Sequence, residues 1–458
     1  MDLIIKNVKV VNADRTFSAD IGIQSEKIIK IQKDLKTDAA ETIDAKGKYV
    51  FPGGIDVHVH LNLFFCDTYS EDWDTGTQAA ACGGLTTIID YAIQTKGKSI
   101  AEAIEARKKD ADPKVCIDYS LHGGITDWNE HTREEMNHFV SNGIPSFKMF
   151  MIYRKEGWMA DDGILFQALE ETKKNGGIIM VHAESAFVLD MLIERYRLQT
   201  SKLGAWGHAL SRPCFIEYEA IQRAITWAEV TGGRLYIVHM STGEGTDAVK
   251  AGQKRGVKVW AETCPHYLLL TDSVFKKKDG HLYATCPQIK KKHDQERLWK
   301  GLKDGEVGIL ATDTCTFTKK QKDMWEGDFT KIPYGVPGME TLVPAIYTSA
   351  VGKKKISLNR FVALTSTNPA KLFGLYPKKG TIAEGSDADI VIFNPDKKLT
   401  VDYKKLSTNC DWSPYQGMKL TGYPEVTISR GEVVAKDGKF VGKVGRGKFV
   451  PRKPGGTI

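Results

Sequence analysis

No two of the eight cysteines stand in Cys-x-x-Cys spacing, which removes zinc ribbons and thioredoxin-type redox sites from consideration. Several of them lie inside apolar runs, where a thiol serves as a small buried hydrophobe. No window reaches about 18 uninterrupted apolar residues, so no membrane span is expected. The opening Met-Asp-Leu-Ile-Ile-Lys lacks the ordered basic and apolar regions of a signal peptide, and a reducing cytoplasmic setting is the expectation. With only 16 prolines beside 43 glycines, and with 41% hydrophobic and 26% charged residues, the composition is globular and excludes disorder and collagen-like structure. Excess charge of one sign is also missing: the net charge is +7 on 458 residues. The lysine clusters at 276–278, 290–292 and 353–355 have no interleaved aromatics. They read as solvated surface, and no nucleic-acid partner is expected.

What is present is a change of rhythm. Residues 1–50 carry short β-rich runs (Leu3-Ile4-Ile5, 8–11, 21–23, 28–31) broken by Asn, Asp, Gly or Ser. From Phe51 onward, strand-like runs at 51–58, 86–90, 115–119, 146–150, 177–182, 234–239, 257–262 and 308–313 alternate with helix-like stretches such as 99–110, 132–142, 162–174 and 217–231. Eight such alternations predict a (β/α)8 TIM-like barrel. Strand-like runs return at 388–393, 425–429 and 432–434. The expected organisation is therefore a barrel over 51–377 and a small β-sandwich assembled from 1–50 and 378–458. The basic residues Arg446, Lys448, Arg452 and Lys453 predict a solvated tail or an arm onto a neighbouring subunit.

The stretch Gly54-Ile55-Asp56-Val57-His58-Val59-His60 ends the first barrel strand. Residues i and i+2 of a strand share a face, so His58 and His60 project side by side, as two ligands of one cation would. His182 ends the fifth strand, His239 the sixth and Asp313 the eighth, and the carboxyl ends of barrel strands form the active-site face. Singly, each reads as a hydrogen-bonded structural histidine or a helix cap; together they point to a metal centre. Lys148 lies between Phe147 and Met149 in the fourth strand, where an isolated ammonium is costly. It is either a lysine neutralised by a partner or a deprotonated amine that has captured CO₂. A carbamylated lysine has two oxygens and can bridge a pair of cations.

The chain also resembles the cyclic amidohydrolases of the hydantoinase and dihydropyrimidinase type. The resemblance runs from Ile43-Asp44-Ala45-Lys46-Gly47 and Val50-Phe51-Pro52-Gly53 through Ser211-Arg212-Pro213 and Asn368-Pro369-Ala370-Lys371-Leu372-Phe373-Gly374 to Gly385-Ser386-Asp387-Ala388-Asp389. It implies a barrel with a β-sandwich and a homotetramer or homodimer. It implies two divalent metal ions per chain, zinc first with manganese, iron or nickel as alternatives. His58, His60 and Asp313 would hold one metal and His182 and His239 the other, with N6-carboxylated Lys148 bridging both. Asp313 would be the catalytic acid–base and Tyr153 the donor to the oxyanion. The implied reaction opens the ring amide of a hydantoin or 5,6-dihydropyrimidine to an N-carbamoyl amino acid. An allantoinase or another opener of purine-derived ureides is the nearby alternative. A non-catalytic scaffold would have lost ligands, and here all six positions are filled.

The substrate side departs from the common motifs. Ser-Pro-Pro-Leu-Arg is replaced by Cys286-Pro287-Gln288-Ile289-Lys290, Thr-Asp-His-Cys by Thr312-Asp313-Thr314-Cys315, Asn-Gly-Ile-Pro by Tyr334-Gly335-Val336-Pro337, and His-Ala-Glu-Asn by His182-Ala183-Glu184-Ser185. In the family the first and third of these touch substrate through main-chain atoms, so Cys286 and Tyr334 remain substrate-binding candidates. The stretch 61–66, with Tyr153 and Trp158, is expected either to form an apolar wall beside a ring substituent or to pack between the barrel and its helices. Retained hydrolysis on a shifted substrate is the reading that follows.

Overall fold

Apolar strands covered on both faces read as continuous hydrophobic runs, and eight such runs form one parallel sheet in the computed structural model, which describes residues 1–458. The barrel strands are β1 (Gly54–Val59), β2 (Leu85–Ile93), β3 (Asp118–Gly124), β4 (Ser146–Phe150), β5 (Ile178–His182), β6 (Leu235–Ile237), β7 (Val259–Thr263) and β8 (Ile309–Leu310). They pair in sequence order, and a bridge between Val59 and Thr314 brings the last strand back to the first. Intervening helices start where side chains cap them. Ser99 accepts from Glu102 N ahead of Ile100–Ala111, and Asp161 accepts from Ile164 N ahead of Asp162–Asn175. The second of these ends at Gly176 with φ +76°, the left-handed stop that glycine adopts without strain.

Two barrel boundaries differ from the sequence expectation. Phe51 and Pro52 pair with Val391 and Ile390 in the other sheet, and the chain enters the barrel only after Gly53. A Cβ at Gly53 would lie 2.0 Å from Thr86 Oγ1, so the crossover needs a residue without a side chain. The third strand begins at Asp118, not Val115. Val115 N still bonds Ala111 O at the helix end, and Cys116 N bonds Thr77 Oγ1. The strand then extends through Gly123 and Gly124, where a Cβ would press on the Phe147 ring at 2.8 Å and on Ile93 Cα at 2.9 Å.

Strands from both chain ends join in a nine-stranded sheet. Its first edge curls back onto the start of strand Ile390–Thr400: Ile28 N bonds Ser386 O and Ala388 N bonds Glu26 O. Ile5, Val10, Ile21, Ile390 and Ile428 meet in the apolar cluster this closure encloses.

The tail is only in part the solvated end expected: Lys448 and Lys453 are exposed, whereas Arg452 is not. It runs under the barrel floor, where Tyr119 N bonds Lys448 O and Val450 N bonds Tyr119 O at 2.7 Å. Arg452 is buried and donates to Ser120 Oγ, Ser146 Oγ and Leu121 O. Its partners are hydroxyls and a carbonyl some 300 residues earlier in the chain, invisible to a composition argument. Arg452→Ala strips charge-assisted hydrogen bonds from three buried acceptors. It is expected to cost about 2–4 kcal/mol of stability, read as a lowered urea midpoint.

Candidate active site

The nine residues singled out in the sequence (His58, His60, Lys148, Tyr153, His182, His239, Cys286, Asp313 and Tyr334) line one cavity of about 70 Å³ at the carboxyl ends of the barrel strands. Asp313 Oδ1 lies 3.2 Å from His58 Nε2 and 3.4 Å from His60 Nε2. The His239 ring stands between two groups, its centroid 5.2 Å from His58 and 4.5 Å from His182. His182 Nε2 is 2.8 Å from Glu184 Oε2 and 3.8 Å from Cys286 Sγ. Lys148 Nζ lies over the faces of Tyr91 and Phe150, at 5.3 and 5.4 Å from the ring centroids. Tyr153, His239 and Asp313 all have φ in the left-handed region, at +61°, +37° and +50°. Non-glycine residues held there cost on the order of 1–3 kcal/mol each, and such strain collects at functional sites.

The electrostatics suit cation ligation. His58 Nδ1 donates to Glu262, whose carboxylate also accepts from His239 N and from the Tyr236 hydroxyl. That fixes the tautomer and leaves His58 Nε2 a bare lone pair, buried and without a hydrogen-bond partner, facing a carboxylate oxygen. A cation between them turns a repulsive contact into two ligand bonds. His239 Nδ1 is likewise buried and unpartnered. Burial holds the His58, His182 and His239 imidazoles below the usual histidine range, in the neutral form that ligates metal. Burial also brings the Lys148 amine down to about 8, although Asp313 and Glu262 pull it up.

The walls around this centre are apolar. Leu63, Phe65, Phe150 and Trp158 border the cavity. Tyr334 stacks on His208 (centroids 4.9 Å apart), and the Arg212 guanidinium lies 5.5 Å from the Tyr334 ring. Behind this wall, buried Lys322 donates to the carbonyls of Ala284 and Pro333. It ties the loop that carries Cys286 to the loop that carries Tyr334.

The sequence profile of the Amidohydrolase family matches residues 49–434. The chain belongs to the amidohydrolase family. A D-hydantoinase of Geobacillus stearothermophilus is 42% identical over 463 residues, which cover 100% of this chain and 98% of the relative. A D-phenylhydantoinase of Escherichia coli is 40% identical, with 99% of each chain covered. The crystal structure of a dihydropyrimidinase from Brevibacillus agri superimposes on all of this chain and all of that one with a TM-score of 0.98 at 40% identity.

Several residues that shape this amidohydrolase site escaped the sequence reading. Glu262 orients His58 and His239 from β7, which, like β2 and β3, has no polar end among the residues singled out from the sequence. A glutamate after Trp260-Ala261 in an apolar strand is the same signal that marked Lys148. Asp56 accepts from Thr312 N and Oγ1 and from His58 N, stitching β1 to the segment before Asp313. Glu184 is paired with Arg212 at 2.7 Å, a contact that no spacing in the sequence announces.

Proposed function

We propose that this protein hydrolyses the ring amide of a cyclic ureide, a hydantoin or 5,6-dihydropyrimidine, to the corresponding N-carbamoyl amino acid. The observation that carries the reading is the convergence of four imidazoles, one carboxylate and a buried lysine beneath an apolar wall, in a chain similar over its whole length to hydantoinases. His58, His60 and Asp313 would hold one divalent ion, His182 and His239 a second, and N6-carboxylated Lys148 both. Zinc is the first assignment; manganese, iron and nickel suit the same donor set. When bound, such a pair polarises a ring carbonyl and supplies hydroxide at neutral pH.

The chain's own groups do the rest. Asp313 takes the proton of the attacking water and delivers it to the leaving ring nitrogen. The Tyr153 hydroxyl donates to the oxygen on which charge develops, and the main chain at Cys286 and Tyr334 holds the ureide edge. Phe65 and Trp158 receive an apolar substituent on the ring carbon, which favours 5-substituted hydantoins over unsubstituted dihydrouracil. Tyr153→Phe is expected to lower kcat by about 10²–10³-fold with a much smaller change in KM, measured by ring opening of the best substrate.

The deciding experiment assays the metal-loaded protein on dihydrouracil, hydantoin, both enantiomers of 5-phenylhydantoin, and allantoin. Turnover of the substituted hydantoins is expected. Failure to open any of them with metal bound would overturn the proposal.

We also propose a cytoplasmic homotetramer. The eight free cysteines are compatible with a reducing compartment, and no helix is long and apolar enough to cross a membrane. Phe187, Met191 and Leu198, exposed along and just past helix Ala186–Arg197, offer an apolar face for a second copy. Light scattering on the eluted protein tests the assembly, and a monomer would sink it.

A further inference from the structure

The segment from Asp313 to Cys315 has two sides. Asp313 and Cys315 face the reaction cavity, whereas Thr314 and Thr316 face a second, smaller cavity of about 10 Å³. From Thr314 to Thr316 this is the alternation of extended backbone, which begins after the left-handed Asp313. Two carboxylates border the second cavity, Glu71 and Glu340, and no lysine, arginine or histidine does.

Both carboxylates are buried; the loop beside them donates to both oxygens of Glu71 but to only one of Glu340. Asn409 N and Thr408 Oγ1 donate to Glu71 at 2.6 and 2.7 Å, and Ser407 N donates to Glu340 Oε2 at 2.6 Å. The second oxygen of Glu340, on a residue 4% exposed, has no hydrogen-bond partner. Neither do Thr314 Oγ1 and Thr316 Oγ1, on residues 1% and 2% exposed. An unpaired buried acceptor beside a second buried carboxylate is unfavourable. Every donor atom here is oxygen, the set that selects hard cations over thiophilic ones, and the space suits one water-sized particle. The common motif Thr-Asp-His-Cys has histidine at the position of Thr314, so this chain lacks an imidazole where its two carboxylates meet.

We propose that a single hard cation (sodium, potassium or calcium) occupies the cavity between Glu71, Glu340 and Thr314. There it neutralises the carboxylate pair and braces the segment that carries Asp313. Thr314 O also accepts from His60 N at 2.8 Å, so the ion stiffens two metal-ligand candidates at once without touching substrate. The competing arrangement places a proton on Glu340, which burial and the Glu71 charge push up to about 8.

The test is thermal unfolding of the full chain, saturated with zinc at its catalytic centre. The midpoint is recorded in sodium, potassium, calcium and choline chloride at equal ionic strength, pH 7.5. One of the three ions is expected to raise the midpoint saturably by roughly 2–4 °C over choline. The rise should disappear in Glu340→Gln and in Thr314→His, which supplies the missing imidazole. Equal midpoints in all four salts would establish the protonated arrangement and overturn the proposal. So would an ion-specific rise that survives in both variants. Activity is not the readout, so the outcome is independent of which ureide the enzyme opens.

Discussion

Lys148→Ala is expected to remove ring-opening activity, by about 10³-fold or more in kcat/KM, and to lower bound metal from about two ions per chain to one or none. The side chain is 2% exposed, and its nitrogen faces the rings of Tyr91 and Phe150, with no carboxylate within salt-bridge distance. A permanent ammonium in such a place is costly, and structural lysines in this protein are handled otherwise: Lys379 has three carboxylates and Lys322 two carbonyls. In the metal-free protein, removing an uncompensated amine should therefore leave the unfolding midpoint unchanged or raise it. A structural lysine gives the opposite sign. Adding a short carboxylic acid to the variant offers two oxygens to the vacated space, and partial recovery of activity and metal content is expected. A variant that keeps its full metal complement and turns over normally would exclude Lys148 from the centre.

Particular residues show what could be seen without coordinates. His58, His60, His182, His239 and Asp313 were legible because a parallel barrel delivers every strand end to one face. The end of an apolar run is visible in a string of letters. Lys148 was legible because a charge among Phe and Met is anomalous at short range. The residues that hold these in place were not. Glu262 meets His58 across 204 positions, and Asp56 meets Thr312 across 256. Neither distance leaves any trace in local periodicity. The third strand was misplaced for a related reason. Asp118 lies inside the apolar-looking run 115–119, yet the strand opens at it, and its carboxylate is held by Lys379 and Arg430, 261 and 312 residues later. Arg452 was misread on the same ground, since basic residues near a chain end look solvated until a buried set of acceptors is found for them.

That floor cluster is where a single substitution should unfold the most structure. Lys379 Nζ lies 2.8 Å from Asp118, 3.2 Å from Asp387 and in hydrogen-bond contact with Asp389, and Arg430 Nε donates to the other oxygen of Asp118 at 2.9 Å. Asp118 opens β3, while Lys379, Asp387 and Asp389 lead into strand Ile390–Thr400 and Arg430 lies in the turn after Lys419–Ser429, so the cluster rivets the two units together. Lys379→Met leaves Asp118 and Asp389 with Arg430 as their only cationic partner, and Asp387 with the half-exposed Lys27 and Lys378. The expected loss is about 3–5 kcal/mol, read from urea denaturation, and adding Asp389→Asn should recover part of it as a coupling between contacting residues. Acid titration supplies the second signature. Burial works to raise the Asp387 carboxyl, but Lys379, Lys27 and Lys378 overcome it and bring it from 3.8 to about 2. The unfolded chain therefore binds the proton first, and this group's contribution is full above pH about 4 and drains away toward pH 2. Without Lys379 the remaining carboxylates are destabilised as anions, and protonation relieves them. The variant should lose less stability than the wild type over that acid range, so the gap between the two proteins narrows as pH falls. A gap that stays constant from pH 7 to pH 3 would mean that Lys379 acts through packing and not through its charge.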